Sequence, residues 1–146
     1  MTIRVVYWSG TGNTKAMAEA VAEGARSAGA EAELSEVGSA DVRSVLAADA
    51  AALGCPSMGA ETLEEEEMEP FVRSLESAGL EGKPVLLFGS YDWGDGQWMR
   101  DWEERMRKAG AALAGGGFIV NLTPSASDIV ALAEAGRNLA AAVSGK

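Results

Sequence analysis

Apolar and polar positions along this chain follow two periods in turn. Ile3 to Trp8 is a short apolar run. Beyond it Met17, Ala20, Val21, Ala25 and Ala28 recur at helical spacing, and Gly29 stands where a left-handed stop belongs, so a helix is expected over roughly 13–28. Ala30 to Val37 alternates acidic with small apolar residues and reads as an edge strand; Val42, Val45 and Leu46 mark a short second helix; Ala50 to Gly54 is a buried strand. Phe71, Val72 and Leu75 form the apolar face of a third helix, with Pro70 suited to its start and Gly79 to its end. Lys83-Pro84 introduces the cleanest strand, Val85 to Phe88, succeeded by a helix carrying Trp98, Trp102, Met106, Ala109 and Leu113. Gly117 to Leu122 is the last strand, and a final helix carries Ile129, Leu132, Ala133, Leu139 and Val143.

Strands that alternate with helices imply a parallel sheet covered on both faces, and the right-handed crossover rule leaves few ways to wind it. The expectation is an α/β, doubly wound, five-stranded parallel sheet in the order 2-1-3-4-5. A ligand of such a sheet sits beyond the carboxyl ends of the strands where the winding reverses, between strands 1 and 3. The loops after strands 1, 3 and 4 therefore converge on one place, and they are the loops richest in glycine and functional side chains.

The first of them, Trp8-Ser9-Gly10-Thr11-Gly12-Asn13-Thr14, lies between a strand and a helix. Its backbone N–H groups can turn inward while Ser9, Thr11, Asn13 and Thr14 add donors, an arrangement that cradles phosphate. Lys15 comes directly after Thr14, so the Gly-Lys-Ser/Thr ending of a nucleotidase loop is missing. Gly10-x-Gly12 fits half of a dinucleotide fingerprint, but Lys15 occupies the place of the third glycine. Four neutral donor side chains suit a terminal phosphate monoester; the plain alternative is a glycine-rich turn with a hydroxyl cap.

Composition narrows the chemistry. At 146 residues the chain has the length of one domain. Its 12 basic and 22 acidic residues leave a formal charge of −10, which argues against nucleic acid or an anionic membrane and favours partners with basic faces in salt-sensitive contacts. The single Cys55 excludes an internal disulfide and, with no histidine present, a thiolate or imidazole cluster for a metal. Any redox chemistry needs an organic cofactor. The opening residues enter the first strand with no leader pattern, and no apolar run approaches ~20 residues, so a soluble, cytoplasmic protein is expected.

With these motifs the chain resembles the flavodoxin family, short-chain type, over essentially all of residues 1–146, as a single FMN-binding unit. Tyr7 to Thr14 is similar to the family's phosphate loop, Leu53-Gly54-Cys55 with Met58-Gly59 to its inner flavin loop, and Phe88-Gly89-Ser90-Tyr91 with Trp93-Gly94-Asp95-Gly96 to its outer one. The uninterrupted last strand lacks the inserted loop of long-chain members. The resemblance implies noncovalent FMN, held by Ser9, Gly10, Thr11, Gly12, Asn13, Thr14, Pro56, Ser57, Met58, Gly59, Ala60, Glu61, Ser90, Tyr91, Asp92 and Trp93. Met58 and Trp93 would face the two sides of the flavin, Glu61 would accept from its N3–H, and backbone groups of Ser90 to Trp93 would serve its pyrimidine edge. Trp98 and Trp102 are expected in the core, and Cys55 as an inert buried residue. Pro56 stands where relatives often carry a hydroxyl residue, which removes a donor that Ser57 could replace, and Ala60 where an acidic or amide residue is common; both departures should tune affinity or potential.

The function implied is a low-potential, one-electron carrier, monomeric, cycling between semiquinone and hydroquinone in place of a ferredoxin and docking on redox partners with basic faces. Gly59 is the expected redox switch, because glycine tolerates positive φ and its carbonyl could rotate to accept from a protonated flavin N5. The glutamates of 61–69, with Asp92, Asp95, Asp101, Glu103 and Glu104, border the cofactor and are read equally as a solvated face or as a field. At ~12 Å each carboxylate would oppose an added electron by ~0.4 kcal/mol in a water-like dielectric. The alternative on this fold is an FMN-dependent quinone or nitro-compound oxidoreductase, which a reaction with NADPH alone would favour. A signalling receiver is remote, since Ser9 and Gly10 stand where its acid pair belongs.

Overall fold

The computed structural model describes residues 1–144. Strand β1 (Thr2–Tyr7) leads into helix α1 (Asn13–Ser27), then β2 (Glu31–Glu36), α2 (Val42–Ala47), β3 (Ala50–Gly54), α3 (Met68–Ala78), β4 (Pro84–Tyr91), α4 (Gln97–Lys108), β5 (Ala112–Leu113), β6 (Phe118–Asn121) and α5 (Ala126–Ser144). All strand pairs are parallel, and the order is β2-β1-β3-β4, with β5 and β6 both against β4. The 2-1-3-4-5 winding expected from the sequence is present, with the fifth place shared by two short strands.

Alternation within each strand builds two cores. Ile3, Val5, Ala50, Ala52, Leu86 and Phe88 face α1 and α5, while Val6, Ala51, Leu53, Val85 and Leu87 face the other side, where α3 and α4 supply Phe71, Leu75, Trp98 and Trp102. Both tryptophans are core residues, in keeping with their helical spacing. On the first face α1 and α5 touch backbone to backbone: a Cβ at Gly24 would lie 1.8 Å from the Ala133 carbonyl oxygen, and one at Gly136 2.1 Å from that of Val21.

One expectation needs correction. Leu113 continues the apolar period of α4, yet that helix ends at Lys108 and Leu113 pairs with Val85 in β5. Gly110, at φ +96°, breaks the helix there, and the free edge of β4 captures Ala112 and Leu113. Pro70 falls in the third position of α3, within the first turn, where a missing N–H still costs no helical bond. Helix α5 begins with a reciprocal cap: Asp128 N–H donates to Ser125 Oγ at 3.1 Å, and Ser125 N–H to Asp128 Oδ2 at 2.9 Å. Among the described residues no helix is long and apolar enough to cross a membrane.

Candidate cofactor site

Between β1 and α1 the chain turns through Gly12 in the left-handed region, φ +95°, as the residue that starts the helix. No side chain caps that end and no acidic residue lies in the first turn. The Ser9 hydroxyl accepts from Gly12 N–H at 3.0 Å and the Thr11 hydroxyl from Asn13 N–H at 3.4 Å, which curls the loop on itself. Helix starts normally recruit a side-chain oxygen for their orphan N–H groups. Here Thr11 answers the Asn13 N–H, and the rest of the first turn with the positive end of the helix dipole is left for an anion.

A buried contact ties this loop to the end of β4: the hydroxyls of Thr14 and Ser90 lie 3.1 Å apart. Ser90 O accepts Ser57 N–H at 3.0 Å, and Cys55 O accepts Trp98 Nε1 at 3.1 Å. Ser57 N–H is therefore spent within the protein and does not replace the donor that Pro56 lacks. Gly89 permits the close approach, since a Cβ there would stand 2.1 Å from Cys55 O. Burial pushes the Cys55 thiol up to about 12, against a weaker opposing pull from the Glu64 N–H, so the thiol stays protonated and unreactive at neutral pH.

These ties bring the three loops around a cavity of about 250 Å³, lined by Trp8, Gly10, Thr11, Asn13, Pro56, Ser57, Met58, Ser90, Tyr91, Asp92 and Leu122. All but Trp8 and Leu122 are expected from the sequence. Trp8 opens the first loop's motif with no site role expected of it, and Leu122 merely ends a strand in the apolar pattern. A roomier hollow beside Asp49 and Gly79 to Lys83 lies at the other end of the strands, away from the winding reversal. Among the described residues the lining holds no lysine or arginine and one carboxylate, Asp92, so an anion is best met at the other wall, by the neutral donors of the first loop and the helix end.

The remaining expected residues stand around the rim. Ser9, Gly12 and Thr14 shape the loop rather than line the cavity. Met58 and Thr62 exchange both backbone hydrogen bonds, at 2.8 and 2.9 Å, closing a hairpin whose tip is Gly59, Ala60 and Glu61. Gly59 takes φ +44° and both it and Ala60 are exposed. Glu61 turns its carboxylate to the start of α4, where Oε1 accepts Gln97 N–H at 3.3 Å, and it packs on Gly94. Trp93 is 61% exposed and lies outside the cavity wall. The Tyr91 and Asp92 carbonyls are both approached by Asn121 Nδ2, at 3.2 and 3.4 Å, so these groups of the outer loop are partly engaged by β6.

The acidic run divides. Glu64 is buried and accepts from the N–H groups of Glu66, Glu67 and Met68 at 2.7–2.9 Å. Burial pushes its carboxyl up, but the three backbone donors outweigh that and hold it below the usual range. Glu69 is also held low, first by its hydrogen bonds from Arg105, which bridges Glu69 and Glu76 and so ties α4 to α3. Glu65, Glu66 and Glu67 remain exposed. Glu64 and Glu69 thus take part in the scaffold, which neither reading of the acidic run foresees.

A parallel sheet wound both ways from β1 and β3, with a helix start and a largely apolar cleft at the reversal, defines a doubly wound α/β protein with its candidate ligand site at the switch point. The flavodoxin family model matches residues 5–136, and the chain belongs to that family. Flavodoxin of Clostridium beijerinckii is 44% identical over 126 residues, covering 86% of this chain and 91% of the relative. That of Megasphaera elsdenii is 41% identical over 133 residues, 91% and 96% of the two chains. The solution structure of two-electron reduced M. elsdenii flavodoxin superposes with a TM-score of 0.86 at 42% identity, covering 95% of this chain and 98% of the other. A flavodoxin from the domain Archaea gives 0.90 at 28% identity, with 99% of each chain covered. The cofactor is FMN, and the protein transfers electrons rather than catalysing a reaction of its own.

The residues present fit that cofactor. The uncapped start of α1 with Thr11 and Asn13 suits the phosphate, and Met58, Tyr91 and Leu122 offer apolar surface to the rest. The cavity is smaller than the ~300–1,000 Å³ usual for small-molecule sites, so bound FMN would lie partly outside it.

Proposed function

We propose that the chain acts as one FMN-binding unit, a monomeric, cytoplasmic, low-potential carrier that stands in for a ferredoxin by passing single electrons between the one-electron and fully reduced states of its flavin. FMN supplies the ring that stores the electrons. The chain holds the phosphate at the start of α1, excludes water from one side of the ring with Met58, and leaves the rim near Trp93 accessible to a partner. The observation that carries this reading is the convergence of the three loops on one cavity with a helix end left uncapped.

Apoprotein titrated with flavin should take up one FMN per chain, with the visible spectrum of a bound flavin, and bind riboflavin at least ~100-fold more weakly, about 2.7 kcal/mol for the lost phosphate contacts. Equal affinity for the two would remove loop 9–14 from the site.

The exposed glutamates 65–67 and Asp92 give the surface near the cavity a negative field that would orient basic faces of redox partners. Electron-transfer rates to such a partner should fall several-fold between low and physiological ionic strength, as on-rates between opposite charges do. A flat profile would leave these carboxylates as solvated surface only.

Gly59 sits at a hairpin tip in a conformation that valine resists, with nothing within 4 Å of where a Cβ would stand. Its carbonyl is the candidate acceptor for a protonated flavin nitrogen. Gly59→Val should lower the potential for the first electron by tens of millivolts, the equivalent of one neutral hydrogen bond at ~0.5–1.5 kcal/mol, with FMN still bound. Potentials unchanged to within a few millivolts would exclude this peptide as the switch.

A further inference from the structure

Asp95 alone among the aspartates of this chain is followed by glycine; the others precede alanine, valine, isoleucine or tryptophan. It stands exposed in the turn between β4 and α4, and Gly96, in the left-handed region at φ +92°, starts the helix. The amide nitrogen of the next residue can attack an aspartyl carboxyl carbon and close a five-membered ring, and a glycine there sets no side chain in the way. The nitrogen is also available. Among the described residues Gly96 N–H donates to no acceptor, whereas the Gly96 carbonyl accepts from Met99 and Arg100 N–H, both at 3.1 Å.

Arg100 restrains this pair. Its Nη2 donates to Asp95 Oδ1 and its Nη1 to the Asp95 carbonyl oxygen, each at 2.9 Å, so one guanidinium fork holds the carboxylate toward the oxygen of its own peptide and away from the Gly96 nitrogen. Gln97 Oε1 accepts from the same Nη2 at 3.0 Å and steadies the fork. The hold is a loose one, since the Asp95 side chain is 79% exposed and an ion pair so open to water contributes little.

We infer that Asp95-Gly96 is a modification site, at which aspartate converts to isoaspartate without an enzyme, and that the Arg100 fork sets the rate. The carboxylate takes up a proton, the Gly96 nitrogen bonds to the carboxyl carbon, and the amide hydrogen leaves with the carboxyl hydroxyl as water. Water then opens the succinimide. Breaking the bond from nitrogen to the side-chain carbonyl restores aspartate. Breaking the bond to the main-chain carbonyl leaves Gly96 joined through the former side chain, with one more carbon in the backbone and neither oxidation state nor mass changed. The lengthened backbone lies directly before α4, so the change falls on the join between the Glu61 carboxylate and Gln97 N–H.

The full chain, held for weeks at physiological pH and temperature, is the material for the test. Peptide mapping, with methyl transfer to isoaspartyl carboxyls by an isoaspartyl methyltransferase, reads the conversion. Wild type should accumulate isoaspartate at Asp95 and at no other aspartate. Arg100→Gln, which opens the fork on an exposed surface, should convert roughly two- to fivefold faster. Asp95→Glu, whose ring would need a sixth member, should stay unmodified at that position. High salt should speed wild type and leave Arg100→Gln unchanged, because only wild type has the ion pair to screen. Absence of isoaspartate at Asp95 in Arg100→Gln would overturn the site. Equal rates in the two proteins, or conversion spread over several aspartates in Arg100→Gln as general loosening would give, would overturn the role of the fork.

Discussion

Replacing Gly24 with alanine is expected to destabilise the protein by about 3 kcal/mol or more, at the upper end of what overpacking costs. On propensity alone the change should help, since alanine is favoured over glycine by ~1 kcal/mol inside a helix. The added methyl, however, would stand 1.8 Å from the carbonyl oxygen of Ala133, 2.6 Å from its carbon and 2.8 Å from its Cα. These are backbone atoms of α5, which no rotamer change can move aside. The helix would have to lift by roughly 1 Å or more to restore ordinary contact distances, along a face that buries Val21, Ala25, Leu132 and Leu139. For a chain of this size the melting temperature should drop by ~6–12 °C, at ~2–4 °C per kcal/mol. A melting point equal to or above wild type would mean that α1 and α5 are not in backbone contact at this crossing. The phosphate loop lies about twelve residues away, ~18 Å along the helix, so the folded fraction of the variant should bind FMN nearly as wild type does.

Removing the Glu64 side chain is the second large effect. Its two oxygens accept from three consecutive N–H groups, Glu66, Glu67 and Met68, at the entry to α3, and Glu64→Ala leaves all three without that partner. Charge-assisted hydrogen bonds of this kind contribute ~1.5–3 kcal/mol, and part of the loss is recovered by water, so a cost of ~2–3 kcal/mol is expected. The pH dependence distinguishes this role from simple loss of bulk. A carboxyl held low in the folded chain adds stability in full above its unfolded value of ~4.3, and that contribution disappears as pH falls through the lower folded value. The gap between wild type and Glu64→Ala should therefore stay constant from neutral pH to about 5 and narrow below ~4. Urea unfolding midpoints at several pH values test this. A midpoint unchanged at pH 7, or a gap that widens in acid, would contradict the capping role.

Glu64 also shows where the sequence stops being legible. Four consecutive glutamates at 64–67 have one chemistry and no periodicity, so nothing local separates the buried cap from its exposed neighbours. Glu69 is similar: its value to the fold comes from Arg105, 36 positions on, across the α3 and α4 pair. Leu113 illustrates the converse. Its place in the helical period of α4 is real, but the unpaired edge of β4 and the left-handed Gly110 win. Within the site, Gly10, Thr11, Asn13 and Ser57 are legible because a phosphate loop and a strand-to-helix turn have their own composition. Leu122 is not, and of Trp8 only its motif is, since each becomes a cavity wall only when β1 and β6 are set on either side of β3 and β4.

By itself the sequence determined the alternation of strands and helices, the right-handed winding that such alternation entails, and which three loops meet at one end of the sheet. All of these depend on periods and turn residues that act over a few positions. Only the tertiary structure decided which hydroxyls face each other, as Thr14 and Ser90 do, which glutamates are scaffold, and which carboxylate reaches the start of α4. It also decided that Leu122 is held against its own backbone preference at the cavity wall. Such pairings join residues far apart in the chain, and a single side chain carries no record of the partner that packing will bring to it.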